Sequence, residues 1–382
     1  MIRISTNWQL TVCWSSTNLV SDPIMASSII EIGRLQSILR PLWKMPLKLP
    51  SGRCMKGQPV LKWIARMRIH VAANIVVTDP SAISHSGYNK AIMSEENKPI
   101  KRIAIVGHQK LPDIEKESVA IAAFLSEKGI ETQHGYLYDE VIYRKVKQGE
   151  FDLLIALGGD GTMLRAGHLG GPSDVPVLGI NLGRFGFLTE IARDQWREYL
   201  IRMIGGDYWL EKRMMLCAEQ WRADSILGKW DVLNEVVVAR GQIVRPVHIT
   251  AHVDGRFLTT YVADALIAST PTGSTAYALA AGGPILPPEL RNILLVPVAP
   301  HLSLDRAIVL AEGSSVSISV EVDHQAVFSI DGQVPIGLTN DDRVIVYASP
   351  YIVKFIRFQD PGYFYRNLTP HMSQNPSTVN HR

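Results

Sequence analysis

Phe151-Asp152-Leu153-Leu154-Ile155-Ala156-Leu157-Gly158-Gly159-Asp160-Gly161-Thr162 is the stretch that decides the fold. Its first half is a short continuous apolar run, the length and character of a strand buried on both faces of a parallel sheet. Its second half exchanges bulk for glycines and one acid, and a helix is expected to begin near Met163. Glycines let a backbone approach an anion closely, and a helix N-terminus presents unpaired N–H groups. An acid at such a turn can orient a hydroxyl or a metal ion. A tight turn with Asp160 as a helix cap uses the same residues, so the motif alone leaves both readings open. No Gly-Lys-Ser/Thr follows and the glycine spacing differs from the dinucleotide fingerprint, which excludes both of those phosphate loops.

Working outward, Ile103 to Val106 ends at Gly107 like a second buried strand, and Val175 to Ile180 reads as a third. Asp113 is placed to cap a helix through Lys128, with Ile121, Phe124 and Leu125 on one face and Gly129 to stop it. Asp194 to Ile204 supplies a closing helix. Strands alternating with helices predict a doubly wound α/β domain over residues 93–206. Past Lys212 the pattern turns β-rich. Ile249 to Val253 and Phe257 to Val262 flank the hairpin turn Asp254-Gly255, and Ser315 to Val322 and Arg343 to Ala348 are further strands. Residues 207–350 are therefore expected to form an antiparallel, sandwich-like domain, interrupted by one helical stretch of small residues from Gly273 to Ala281. The tail, 351–382, is expected to return to the first domain.

Residues 1–92 hold eleven Lys and Arg against three Asp and Glu, whereas the remainder holds 28 against 33. The basic excess lies in this acid-poor leader and not in the patterned part, which lacks the charge of a nucleic-acid binder. Three readings of the leader stay open: an organelle-type targeting segment, a basic accessory region, or upstream sequence ahead of a start at Met93. No run approaches the ~18 apolar residues that cross a bilayer. Cys13, Cys54 and Cys217 have neither disulfide nor metal-ligand spacing, so a cytoplasmic, reducing compartment is expected and no protein-built metal site.

A second motif, Thr270-Pro271-Thr272-Gly273-Ser274-Thr275-Ala276-Tyr277-Ala278-Leu279-Ala280-Ala281-Gly282-Gly283-Pro284-Ile285, concentrates glycines, hydroxyls and small residues. Ser274 and Thr275 can meet phosphate or ribose oxygens, and Tyr277 can lie against an adenine face. A helix packed tightly on a sheet before a Gly-Gly-Pro stop would read alike. Taken together, in this order and separated by a β-rich segment carrying Asn234-Glu235, the two motifs resemble the NAD kinase family over about Lys101 to Asp360. Similar pieces are Gly179-Ile180-Asn181-Leu182-Gly183, Gly186-Phe187-Leu188-Thr189 and Asp331-Gly332-Gln333.

The resemblance implies transfer of the terminal phosphoryl group of ATP or polyphosphate to the 2′-hydroxyl of NAD. It makes Asp160 the proton acceptor, with Gly161 and Arg165 beside it in the nucleotide site. It places Asn234, Glu235, Arg245, Asp264, Gln333 and the run Thr275, Ala276, Tyr277, Ala278, Leu279 and Ala280 at the NAD. Mg²⁺ is expected to ride on the donor phosphates, and the assembly to be a homo-oligomer, dimer or tetramer, with no nucleic-acid or membrane partner. The chain departs from the family pattern at Ala265, where glycine is common, at Ala280, where serine is frequent, and at Val262, a position often held by arginine. These departures bear on the grip on NAD and the choice between NAD and NADH. Two rivals remain: a lipid kinase, which shares only the Gly-Gly-Asp-Gly-Thr turn, and a non-catalytic NAD(P)-binding regulator.

Overall fold

The computed structural model describes residues 47–48, 54–55, 99–109, 113–183, 186–243, 245–301, 304–321 and 324–373. The leader readings fall almost wholly outside these residues; within it, β1 (Leu47–Lys48) and β2 (Cys54–Met55) form an antiparallel pair. A parallel sheet begins with β3 (Arg102–Gly107), α1 (Ile114–Glu127), β4 (Glu131–Tyr136), α2 (Glu140–Lys147), β5 (Leu153–Leu157), α3 (Asp160–Gly170), β6 (Val177–Asn181), β7 (Ile191–Ala192) and α4 (Trp196–Ile204). β3, β5 and β6 are buried almost throughout, as their unbroken apolar runs require. Their order, β6-β5-β3-β4, opens a crevice between the C-terminal ends of β3 and β5, and the Gly158–Thr162 turn lies there.

The rest of the chain is β8 (Trp209–Arg222), β9 (Ser225–Val232), β10 (Glu235–Arg240), β11 (Val247–Val253), β12 (Arg256–Ala263), β13 (Ala265–Ser269), α5 (Tyr277–Ala280), β14 (Asn292–Val298), β15 (Ile308–Ala311), β16 (Ser315–Glu321), β17 (Ala326–Ile330), β18 (Ile336–Leu338), β19 (Asp342–Arg357) and α6 (Tyr363–Ser373). One antiparallel sheet runs β15-β14-β13-β10-β17-β18. β12, β11, β16, β19, β8 and β9 form antiparallel pairs of their own, and the apolar core lies between the two sets. β19 then meets β6 in parallel at Phe355 and Val177, so a single sheet passes from the antiparallel part into the parallel part.

Local chemistry explains where the sequence reading holds and where it slips. Asp254 (φ 52°) and Gly255 (φ 74°) both take the left-handed backbone that a two-residue hairpin turn between twisted strands needs. Asp113 sits at the start of α1, but with φ 67° and no capping bond; its carboxylate goes to Arg193 instead. β4 and α2 carry no apolar run, because β4 is a polar edge strand, and Asp139 caps α2 by accepting from Val141 and Ile142 N–H. The stretch from Gly273 is not one helix: a 3-10 turn, Thr272–Thr275, is separated from α5 by Ala276, whose φ and ψ (−100°, −127°) are not helical. Pro350 suggests a strand end near Ala348, yet β19 continues past it, because the register against β8 slips between Ala348 and Ile352.

Candidate active site

Gly158 opens the phosphate-type turn with φ 151°, a value that side chains rarely tolerate. Asp160 then begins α3, where the helix dipole favours an anion. Its Oδ2 accepts from Phe187 N–H at 2.7 Å and its Oδ1 from Leu188 N–H at 2.9 Å. The loop closes so tightly that a Cβ on Gly186 would lie 2.1–2.3 Å from the Asp160 carboxyl atoms. Gly161 and Arg165 share the exposed face of α3; Arg165 donates to the Gly161 carbonyl at 3.3 Å and lies over the Tyr138 ring.

At the other end of α3, eight residues and about 12 Å along the axis, His168 Nε2 donates to Asp331 Oδ2 at 2.5 Å. Pairing of β10 with both β13 and β17 brings Asn234-Glu235, Ser269-Thr270 and Asp331 to one end of the sheet. Asp331, buried, also accepts the N–H groups of Leu233, Asn234 and Glu235 at 2.7–2.8 Å, which fixes that turn. The Asn234 carbonyl accepts from Thr270 N–H and Ser269 Oγ, and a Cβ on Gly273 would meet it at 2.3 Å. The glycine therefore lets the second motif lie directly on the Asn234 turn. Glu235 is 7% exposed and its Oε2 has no partner among the described residues. Burial, reinforced by the Asp331 charge, pushes its carboxyl up to about 8.

Residues 60–208 match the model of the ATP-NAD kinase N-terminal domain, and residues 233–358 that of the ATP-NAD kinase C-terminal domain. An NAD kinase of Chloroflexus aurantiacus is 37% identical over 277 residues, covering 72% of this chain and all of the relative. One from Dehalococcoides mccartyi is 35% identical over 282 residues, covering 73% of this chain and 98% of the relative. The chain belongs to the NAD kinase family. It is an enzyme that phosphorylates NAD to NADP. Its fold is also that of yeast NADH kinase complexed with NADH (TM-score 0.64, 24% identity, 75% of this chain and 91% of that one). The NAD kinase of Archaeoglobus fulgidus in complex with ATP shares it as well (TM-score 0.58, 24% identity, 72% and 100%). No helix among the described residues is long and apolar enough to cross a membrane.

Against this family frame, the structure gathers Asn234, Glu235 and the 3-10 turn before α5, and puts Asp160 and Arg165 on the helix that reaches them through His168. Tyr277 is 43% exposed, with its ring available to a ligand, while Ala278 is buried in the core. Asp264, between β12 and β13, accepts from Arg240 Nε at 3.0 Å, so a cation from β10 stands close to the position where Val262 leaves none. Arg245 and Gln333 lie exposed on loops. Sequence reasoning passed over the organising roles of Asp331, His168 and Arg240. Asp331 and Gly332 both take positive φ (48° and 68°), the backbone of a tight turn after β17.

Proposed function

We propose that the enzyme transfers the terminal phosphoryl group of ATP or polyphosphate to the NAD 2′-hydroxyl, with Asp160 as general base. The observation that carries this reading is the double N–H anchorage of the Asp160 carboxylate at the start of α3. One bond to each oxygen leaves each a further lone pair, so the anchored carboxylate can still accept a substrate hydroxyl. Phosphoryl transfer asks little covalent chemistry of a protein, and a glycine-rich cradle with one aimed acid meets that need. In this reading Gly161 and Arg165 meet the nucleotide, and Asn234, Glu235, Asp264, Arg245, Gln333 and the run from Thr275 to Ala280 hold NAD. No cluster of three or more His, Cys, Asp or Glu gathers among the described residues, which fits a Mg²⁺ carried by the donor phosphates more than one caged by side chains. When bound, that ion would neutralise charge on the transferring group. The reading includes a cytoplasmic homo-oligomer, dimer or tetramer.

Asp160→Asn tests the assignment, with steady-state NADP formation measured alongside NAD affinity by calorimetry. The amide keeps the size and one acceptor oxygen but cannot take the proton, so turnover should fall by ~10²–10⁴-fold while NAD affinity holds. Asparagine caps a helix about as well as aspartate. An Asp160→Asn enzyme within about tenfold of the parent rate therefore removes Asp160 from the chemistry.

A further inference from the structure

Behind the loop that holds Asp160 lies a set of buried charges that the transfer chemistry does not use. Arg357, at the end of β19, and Glu211 and Arg213, on β8, are 1%, 4% and 3% exposed. Arg357 Nη1 donates to the Leu188 carbonyl at 2.8 Å and its Nε to Glu211 Oε2 at 2.9 Å. Arg213 Nη2 donates to the same Oε2 at 2.9 Å and to the Tyr363 hydroxyl at 3.0 Å, and that hydroxyl donates to Glu211 Oε1 at 2.8 Å. Arg213 Nη1 reaches Thr272 Oγ1 at 3.3 Å, the first residue of the 3-10 turn before α5. From the same loop, Glu190 accepts the N–H groups of Phe358 and Gln359, so loop and strand end hold each other reciprocally. Burial alone would raise the Glu211 carboxyl, but the two guanidinium groups hold it down at about 2.

Apolar side chains of similar volume fill such a space without desolvating three charges. They cannot hold a carbonyl on one side and a hydroxyl on the other. Both backbone groups of Leu188 are committed, its N–H to Asp160 and its C=O to Arg357. We propose that Arg357, Glu211, Arg213 and Tyr363 are positioning residues for phosphoryl transfer: through Leu188 they set the aim of Asp160, and through Thr272 they register it against the NAD-binding segment. This rests on Asp160 being the base. The cluster links a loop of the parallel part to a turn of the antiparallel part through one fully bonded carboxylate, and an error in its geometry is felt at the reacting atoms.

Tyr363→Phe is the mild test, since it deletes one hydroxyl and keeps the ring; Arg357→Lys is the severe one. Misplacement of a catalytic group by about 1 Å can cost ~10²-fold. The expected result is a fall in kcat of about five- to tenfold for Tyr363→Phe, and of at least about thirtyfold for Arg357→Lys, with KM for NAD within about twofold. In an Asp160→Asn background, Tyr363→Phe should change the residual rate by less than about twofold, because no base is left to aim. The proposal is overturned if Tyr363→Phe lowers the melting temperature yet leaves kcat within about twofold of the parent, or if it slows the Asp160→Asn enzyme as much as the parent. Should Arg357→Lys not fold, Tyr363→Phe decides. Failure of the base assignment itself is read from Asp160→Asn alone, so the two failures are distinguishable.

Discussion

Asp160 and Glu235 are both candidate carboxylates, and they differ in what reaches them. Two backbone N–H groups converge on Asp160, one per oxygen. Glu235 is more deeply buried, one of its oxygens has no partner among the described residues, and burial and then Asp331 push its carboxyl up to about 8. The N–H groups of Leu233, Asn234 and Glu235 itself go to Asp331. The allocation of backbone N–H groups, more than residue type, thus separates an acid held by donors on both oxygens from one kept neutral by burial and able to donate a hydrogen bond.

Disturbing the furnished end should have the larger effect. A methyl group on Gly186 would overlap the Asp160 carboxyl group, which is short and doubly bonded in place, so either the carboxylate turns away or the loop lifts. For Gly186→Ala we expect turnover to drop by ~10²-fold, with NAD affinity changed less than about threefold. Steady-state kinetics paired with calorimetry checks this; full activity in Gly186→Ala would mean that the anchorage by Phe187 and Leu188 N–H is not needed for catalysis.

The same contrast shows what a sequence can disclose. The β5–turn–α3 unit and the Asp254-Gly255 hairpin were legible because their causes are local: an apolar run, a glycine, a positive-φ pair. Asp160 as a candidate was legible for the same reason. Its anchorage was not, since Phe187 and Leu188 lie 27 and 28 residues on and are brought to it by the path of the loop after β6. The His168–Asp331 bond spans 163 residues and the Arg357–Glu211 bond 146, and no local pattern announces either. Charges interrupting strands did give a sign: Glu211 and Arg213 alternate with exposed Lys212 on β8 and face the interior. An acid and a base on the buried side of one strand need a third partner, and Arg357 supplies it.

The neutral end should be tested by pH. With its folded value near 8 and its ordinary value 4.5, Glu235 keeps a proton in the folded state that the unfolded chain releases. The folded state then binds more protons between these values, and its stability falls as pH rises from about 4.5 to about 8, with little further change from this group above that. If NAD is held by the neutral acid, affinity should fall about tenfold between pH 7 and pH 9 as the proton leaves. Glu235→Gln, neutral at every pH, should flatten both trends. An equal loss of affinity in Glu235→Gln over this range would assign the titration to another group.

The smallest effect is expected from the largest deletion. Among the described residues, every bond that distinguishes Asp160 from Glu235 comes from beyond Lys101, which with Arg102 ties its N–H to Asp152 at the start of β3. All of the Chloroflexus relative aligns to 72% of this chain, so more than a quarter of the chain has no counterpart in that enzyme. A chain begun at Met93 should therefore express in soluble form, turn over NAD within about twofold of the full chain, and keep the Glu235 pH dependence. The opposite result is informative because the N-terminal family match begins at residue 60. Loss of solubility, or of most of the activity, would assign residues 60–92 to the working fold and make the basic leader part of the enzyme. Loss of the pH dependence alone, with turnover kept, would mean that the leader shields Glu235 from water, and the contrast between the two carboxylates would then depend on residues far from both in sequence.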